Sequence, residues 1–335
     1  MATRSIIAGI AILACAASVV AAQSPPPETP TPTLAEQEQA EQEQVEPAID
    51  RVRLREDGED RLTIPVEIEG NGPYDFLIDT GAEGTILSDR LVGRLGIETS
   101  GRANIVSVAS RAEVDTVRLS SFAFAERDIG RLTTPVLRYD HLGVDGILGL
   151  DALQDLRVLI DFRKGTMDVE DAHEKPSGGR YDIIVRARRL KGQMIITDAE
   201  IDGIDVAVIV DTGAQYSIGN LALLRALRPS ERHLLQGTDV LGSLYEGRVG
   251  YLDEMRIGRM VLGNMPTAFL DGPAFDQLGF GDRPALLLGV GTLRGLERLA
   301  IDFRSGKVLF DLPRGVGRSP GLLRGGGASR LDDRL

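Results

Sequence analysis

The chain has 335 residues, of which 42% are hydrophobic, which is enough for one large or two medium domains with a real core. Its formal net charge is -12, with 38 Lys and Arg against 50 Asp and Glu. A nucleic-acid partner is therefore not expected, because a phosphate backbone is bound chiefly by basic side chains. The composition indicates a soluble globular protein.

The first 22 residues have the pattern of a secretory signal peptide. Arg4 precedes an apolar run over residues 6–20, and small residues lead to Ala22. Because the run is short for a membrane span, we expect cleavage after Ala22 and a periplasmic location. Two alternatives keep a membrane tether: an uncleaved anchor, and a lipoprotein cleavage box that ends at Cys15.

Cysteine and histidine usage argues against thiol and metal chemistry. Cys15 is the single cysteine, so a chain that starts at Gln23 has no disulfide, thiol nucleophile or thiolate ligand. His141, His173 and His233 stand singly, without the spacing of metal ligands. We expect neither a metal nor another cofactor.

Residues 23–50 form a linker rich in Pro, Glu and Gln. Such a composition buries too little apolar surface to offset the entropy of ordering, so we expect an extended or disordered tether. A transient helix and a pro-segment remain open alternatives.

From residue 61 onward, short apolar alternations are separated by Gly, Asn and Asp, which is typical of β structure. Residues 62–68 and 74–78 predict one hairpin, and residues 194–201 and 206–210 predict another. The second strand of each hairpin leads into the same four residues, Asp-Thr-Gly-Ala, at 79–82 and at 211–214. The two copies are separated by 211 − 79 = 132 positions.

The repeat extends well beyond the hairpins. Short amphipathic helices are predicted over residues 88–95 and 220–227, and an apolar pair precedes both Gly149 and Gly289. The sequence Ile-Asp-Phe-Arg occurs at 160–163 and again at 301–304. These landmarks predict two homologous lobes, residues 51–172 and 173–313, followed by a disordered tail at 314–335.

A single Asp-Thr-Gly is weak evidence, since the aspartate could simply cap its own turn. Here each copy follows an apolar strand and precedes an apolar-apolar-Gly landmark, at the same place in a repeated unit. On these residues the chain resembles the retropepsin-like aspartic proteases, in the tandem single-chain form found in bacterial envelopes. The resemblance covers about residues 61–312, the whole predicted globular part.

The resemblance implies a mostly β, bilobal fold, in which two β-barrel-like lobes are related by a pseudo-two-fold axis. Asp79 and Asp211 would then meet at the floor of a cleft as the catalytic pair. The resemblance also assigns supporting roles to the residues that follow them: Thr80, Gly81, Thr212 and Gly213. Two carboxylates about 3 Å apart cannot both ionise, so the pair would share one proton.

This pair predicts an aspartic endopeptidase that acts on an extended peptide or protein substrate. The alternative is a catalytically silent peptide-binding module of the same fold. We expect a monomer, although single lobes could also pair between chains. Ala82 and Ala214 offer no hydroxyl to lower the pKa of the dyad, so we expect activity nearer neutral pH than that of pepsin.

A hairpin that covers the cleft is predicted over residues 238–251, with Gly242 and Tyr245 as candidate substrate contacts. For Tyr245 the alternative is an ordinary exposed strand aromatic. The counterpart in the first lobe is residues 105–117. The lobes also differ before their apolar-Gly landmarks, where Asp145-Gly146 stands in one and Pro284-Ala285 in the other.

Overall fold

The structure, a computed structural model, describes residues 49–56, 61–176, 179, 181–229, 231–313 and 322–324. The predicted signal peptide and nearly all of the predicted linker lie outside this range, as does most of the predicted tail. The last linker residue, Asp50, already begins a strand. Residues 322–324 also form a strand, so the expectation of a tail without structure is wrong for these three residues, whose backbone pairs with 261–263.

In the described part of the chain, the first half contains strands β1 to β13 and two α-helices. Its strands are β1 (Asp50–Arg53), β2 (Arg55–Glu56), β3 (Leu62–Ile68), β4 (Asn71–Ile78), β5 (Ile86–Ser88), β6 (Thr99–Val106), β7 (Arg111–Leu119), β8 (Phe122–Phe124), β9 (Arg127–Asp128), β10 (Leu132–Leu137), β11 (Gly146–Leu148), β12 (Leu156–Asp161) and β13 (Thr166–Asp171). Its α-helices are α1 (Asp89–Leu95) and α2 (Tyr139–Leu142), and a 3-10 turn spans Leu150–Ala152.

The second half repeats this pattern with three short helices. Its strands are β14 (Ile183–Arg186), β15 (Arg188–Leu190), β16 (Gln193–Ile201), β17 (Ile204–Asp211), β18 (Ser217–Gly219), β19 (Glu231–Thr238), β20 (Leu244–Ile257), β21 (Met260–Phe269), β22 (Ala285–Gly289), β23 (Arg298–Asp302), β24 (Lys307–Asp311) and β25 (Leu322–Arg324). Its helices are α3 (Leu221–Leu227), α4 (Pro273–Gln277) and α5 (Val290–Leu293).

The strands form one sheet in each lobe and a third sheet that the two lobes share. The first lobe has a ten-stranded sheet with the order β6-β7-β10-β5-β11-β4-β3-β8-β9, with β2 also on β3. The second has a nine-stranded sheet, β15-β16-β17-β22-β18-β21-β20-β19, with β25 on β21. The shared six-stranded sheet runs β1-β13-β12-β23-β24-β14, with β12 antiparallel to β23 at its centre. The protein is therefore a mostly β, bilobal fold, as predicted.

The predicted hairpins are present, and their second strands are held in the same way. Strand β3 pairs with β4, and β16 pairs with β17, both antiparallel. On its other side β4 runs parallel to β11, and β17 runs parallel to β22. The predicted helices are α1 and α3, whose first turns are capped by the side chains of Ser88 and Asn220. The two lobes thus share one topology around the repeated motif.

The lobes differ at the position three residues before their landmark glycines, which is Gly146 in the first lobe and Leu286 in the second. This difference has a packing explanation. A side chain at Gly146 would lie 2.3 Å from the ring of Phe76, so only glycine fits beside that large residue. In the second lobe the residue paired with Leu286 is the smaller Val208. In the first lobe the larger residue, Phe76, is on the strand that leads to the aspartate, and in the second lobe the larger residue, Leu286, is on the neighbouring strand. The interior is filled in both cases.

Among the described residues, no helix is long and apolar enough to cross a membrane.

Candidate active site

Asp79 and Asp211 lie where two buried strands end, one in each lobe. The N–H of Asp79 donates to the carbonyl of Leu148 at 3.1 Å, and Asp211 is in register with Gly289. Each aspartate is therefore fixed by the parallel strand that carries the apolar-Gly landmark. The repeated hairpin and the landmark act together to deliver one carboxyl group per lobe.

The structure brings the two carboxyl groups together, because each lies against the motif glycine of the opposite lobe. The backbone of Gly81 fits this approach closely, because an added Cβ there would lie 2.7 Å from Cγ of Asp211. At Gly213 the corresponding atom would lie 2.3 Å from Cγ of Asp79. Each glycine of the motif therefore makes room for the aspartate of the other lobe.

Backbone N–H groups hold both carboxylates in equivalent positions. Oδ1 of Asp79 accepts from Gly81 N–H at 2.7 Å and from Ala82 N–H at 3.0 Å. Oδ1 of Asp211 accepts from the N–H groups of the second copy of the motif, Gly213 and Ala214, both at 3.0 Å. One oxygen of each carboxyl group is thus occupied by its own turn.

Burial raises the pKa of both aspartates, because a charged carboxylate loses hydration among protein atoms. Asp211 is 9% exposed. For Asp79 the negative charge of Asp211 adds to the effect of burial, and its pKa is raised well above the usual range. The pair therefore shares a proton at a pH where an isolated aspartate is ionised.

Thr80 and Thr212 link the two turns beneath the carboxyl groups. The hydroxyl of Thr80 donates to the carbonyl of Val210 at 2.7 Å, and that of Thr212 donates to the carbonyl of Ile78 at 2.8 Å. Each hydroxyl also accepts the backbone N–H of the opposite threonine at 3.1 Å. Both side chains are buried, so these four hydrogen bonds fix the distance between the lobes where the aspartates meet.

A second symmetric contact lies at the tips of two hairpins, residues 107–110 between β6 and β7, and residues 239–243 between β19 and β20. The Asp239 carboxylate accepts hydrogen bonds from the hydroxyl of Ser107 and from that of Ser110, at 2.5 Å for the latter. Burial alone would raise the pKa of Asp239, but these hydrogen bonds hold it below the usual range. We call this three-residue contact the clasp.

Apolar residues beside the clasp are exchanged between the lobes. Val108 packs against an apolar cluster of the second lobe that includes Phe275. Val240 and Leu241 pack against an apolar cluster of the first lobe that includes Leu142. Each hairpin tip is therefore seated in the opposite lobe.

The two candidate substrate contacts, Gly242 and Tyr245, lie in the hairpin of the second lobe. Gly242 has a positive φ of 84° and its backbone faces the ring of His141, which would be 2.2 Å from an added Cβ. Tyr245 is half-buried against Gly237 and the second-lobe apolar cluster. Its burial, together with the charge of Asp239, raises the pKa of its hydroxyl. The predicted hairpin exists, but its first strand is β19, which begins at Glu231 and ends at Thr238.

Sequence reasoning missed two polar residues, Asp239 of the clasp and Gln193 beside the Gly81 turn. Asp239 could have been found from the repeat, because it is separated from Ser107 by the same 132 positions that separate Thr80 from Thr212. Gln193 begins β16, and its side-chain amide donates to the carbonyl of Gly81 at 2.5 Å. No sequence motif marks this glutamine.

Within the described part of the chain, no group of three or more His, Cys, Asp or Glu side chains is arranged to hold a metal ion.

Comparison with known families gives two matches in this chain. The family model described as aspartyl protease matches residues 64–152 and again residues 197–292. A comparison with curated proteins gives no significant match. Each matched segment contains one Asp-Thr-Gly-Ala turn and the apolar-Gly strand that supports it. The chain therefore belongs to the aspartyl protease family, in the retropepsin-like group, with two family domains in tandem.

Proposed function

We propose that this protein is an aspartic endopeptidase whose catalytic pair is Asp79 and Asp211. The observation that carries the proposal is the approach of the two carboxyl groups, each of which lies against the motif glycine of the opposite lobe where two equivalent turns meet. Membership of the aspartyl protease family supports a hydrolase that acts on peptide bonds.

In the proposed mechanism the two carboxyl groups divide the acid and base roles. Asp211, ionised, takes a proton from a water molecule, and the water oxygen bonds to the carbonyl carbon of the substrate. Protonated Asp79 gives its proton to the carbonyl oxygen, so the π electrons become an O–H bond and a tetrahedral intermediate forms. Asp211 then protonates the leaving nitrogen, and the C–N bond breaks. At the same time Asp79 takes its proton back from a hydroxyl group of the intermediate, and the C=O bond re-forms.

The substrate in this proposal is an extended segment of a protein, held between the dyad and the two hairpin tips. The tips are closed by the clasp, so they must part before a peptide enters. A folded protein presents few such segments, and an unfolded one presents many. Backbone pairing and apolar contacts would hold the segment, so we expect cleavage beside apolar side chains.

The cellular setting is proposed from the N-terminal sequence. Residues 1–22 have the pattern of an export signal, so the enzyme would act on envelope proteins in the periplasm as a monomer. Cell fractionation and N-terminal sequencing test this: a periplasmic protein that starts at Gln23 supports the proposal, and a cytoplasmic one that starts at Met1 contradicts it.

The test of activity is cleavage of denatured casein between pH 4 and pH 8 by the purified protein that starts at Gln23. Asp79→Asn and Asp211→Asn keep the size of the side chain but cannot share the proton, so each variant should lose activity at least a thousandfold. Asp198→Asn, at an exposed position of β16, is the matched control and should retain full activity.

Cleavage that survives both dyad substitutions would overturn the assignment. A parent protein that binds unfolded casein without cutting it would favour the silent peptide-binding module.

A further inference from the structure

Gln193 lies beside the catalytic pair, although it belongs to the hairpin of β15 and β16. Its side-chain nitrogen donates to the carbonyl of Gly81 at 2.5 Å. The α-carbon of the same glycine faces the carboxyl group of Asp211, with 2.8 Å between an added Cβ and either oxygen. A single residue of the first lobe therefore separates this amide from the carboxyl group that would activate water.

The other end of the Gln193 side chain has no partner. Gln193 is 8% exposed, and within the described residues its Oε1 is a buried oxygen that accepts no hydrogen bond. Leaving a buried acceptor unsatisfied is unfavourable, so such an atom in a functional region points to a donor that arrives with a ligand. The nitrogen is already fixed on Gly81, so the oxygen cannot turn to solvent without breaking that bond.

We propose that Gln193 is a substrate-binding residue, whose Oε1 accepts a backbone N–H of the bound peptide close to the bond that is cut. This inference rests on the proposed endopeptidase function. Backbone N–H groups are the donors that an extended peptide offers whatever its side chains are. Gln193 therefore positions the main chain of the substrate rather than selecting a side chain.

The equivalent position in the first lobe carries a different chemical group. The repeat separation of 132 makes Arg61 the equivalent of Gln193 in the first lobe, since 193 − 61 = 132. A guanidinium group donates hydrogen bonds and accepts none. The proposed acceptor therefore has no chemical counterpart at the equivalent position of the first lobe.

The test pairs a change in the enzyme with a change in the substrate. The substrate is a synthetic nine-residue peptide that contains one bond that the protein cuts in denatured β-casein. Each amide outside the scissile bond is replaced in turn by an ester, which removes one N–H. In the parent enzyme one ester should lower kcat/KM about tenfold, chiefly through KM, because one hydrogen bond is lost. In Gln193→Met that loss should shrink to within about twofold, while losses at other positions persist.

Two further variants separate binding from structure. Gln193→Glu keeps an acceptor oxygen and, at pH 4, where its carboxyl group is largely protonated, also a donor for the Gly81 carbonyl, so at that pH it should retain the sensitivity to the same ester. Gln154→Met, at an exposed turn before β12, is the matched control and should reproduce the parent pattern. Thermal unfolding of each variant establishes that the compared proteins are folded at the assay temperature.

The outcomes distinguish this inference from the function on which it rests. If the parent cuts the peptide and Asp79→Asn does not, but every ester has the same effect in the parent and in Gln193→Met, the role of Gln193 is refuted and the endopeptidase stands. A parent that cuts no peptide refutes both.

Discussion

Ser107 and Asp239 occupy equivalent positions in the two lobes and are hydrogen-bonded to each other across the pseudo-two-fold axis. Thr80 and Thr212, with the same separation of 132 residues, are linked across the same axis. The axis therefore passes through both the floor of the active site and the hairpin tips above it. Two aspartates at the tips would repel each other, whereas one serine and one aspartate form a charge-assisted hydrogen bond.

The clasp should control the opening of both hairpin tips. Asp239→Ala removes the common acceptor, and we expect hydrogen exchange at residues 107–110 and 239–243 to become roughly tenfold faster, which corresponds to about 1.4 kcal/mol. Mass-spectrometric hydrogen exchange measures both segments. Asp253→Ala, at an exposed position of β20, should leave them unchanged. Unaltered exchange at 107–110 in Asp239→Ala would show that Ser107 and Ser110 do not depend on the carboxylate.

The threonine pair should contribute to stability through its hydroxyl groups rather than its methyl groups. Thr80→Val keeps the shape of the side chain but leaves the carbonyl of Val210 and the N–H of Thr212 without this partner. We expect a loss of about 2–4 kcal/mol in the free energy of unfolding, together with a large loss of activity. Thr80→Ser keeps the hydroxyl and should lose much less. If Thr80→Val and Thr80→Ser lose the same free energy of unfolding in urea, the contribution of Thr80 comes from packing rather than from its hydroxyl group.

The dyad should lower the stability of the protein as pH rises. Because the pKa of Asp79 is raised in the folded state, the folded chain keeps a proton that the unfolded chain releases above about pH 4. Stability from this group is complete below that pH and is lost towards the raised folded pKa. Asp79→Asn should therefore be more stable than the parent at pH 8, by at least about 1 kcal/mol, and lose the advantage near pH 4.

Urea unfolding of both proteins at several pH values measures this effect. A constant difference across the range would mean that Asp79 titrates normally in the folded protein.

A buried ion cluster in the shared sheet should be more important than the surface pairs. Arg157 on β12 bonds to Glu170 at 2.9 Å and to Asp302 of the second lobe at 3.1 Å, and all three residues are buried. Arg157→Met leaves two buried carboxylates without their cation and should cost about 3–5 kcal/mol.

The control is Arg163→Met, whose exposed pair with Glu297 should be worth less than about 1 kcal/mol. Similar losses in chemical denaturation for the two variants would contradict a special role for Arg157.

The absence of a hydroxyl after each motif glycine should set the pH range of activity. The N–H groups of Ala82 and Ala214 bond to the dyad, but their methyl groups donate nothing. Adding a donor in Ala82→Ser or Ala214→Ser should lower the pKa of the pair and move the pH optimum of kcat/KM towards acid. The profiles of parent and variants on one peptide test this. A parent optimum strongly below pH 4 would contradict the argument.

Many of the strands and helices could be predicted from the sequence, because they are marked by local residue patterns or by the internal repeat. Alternating apolar residues predicted β3, β4, β16 and β17, and amphipathic patterns predicted α1 and α3. The hairpin of β19 and β20 was also predicted, although its first strand was placed too late. Its first strand carries the exposed Leu234 beside polar residues, so its pattern is weak. The three tail residues of β25 were missed because their pairing partners lie about 60 residues away.

The sequence by itself determined that two equivalent aspartates follow equivalent buried strands, because a motif written twice at one spacing is visible without coordinates. Only the tertiary structure decided which residues meet across the lobes. Asp239 reaches Ser107 and Ser110, Gln193 reaches Gly81, and Arg157 reaches Asp302. Each of these contacts joins residues more than 100 positions apart and depends on how two folded lobes fit together. Local patterns record strand and turn preferences, but they carry no information on that fit.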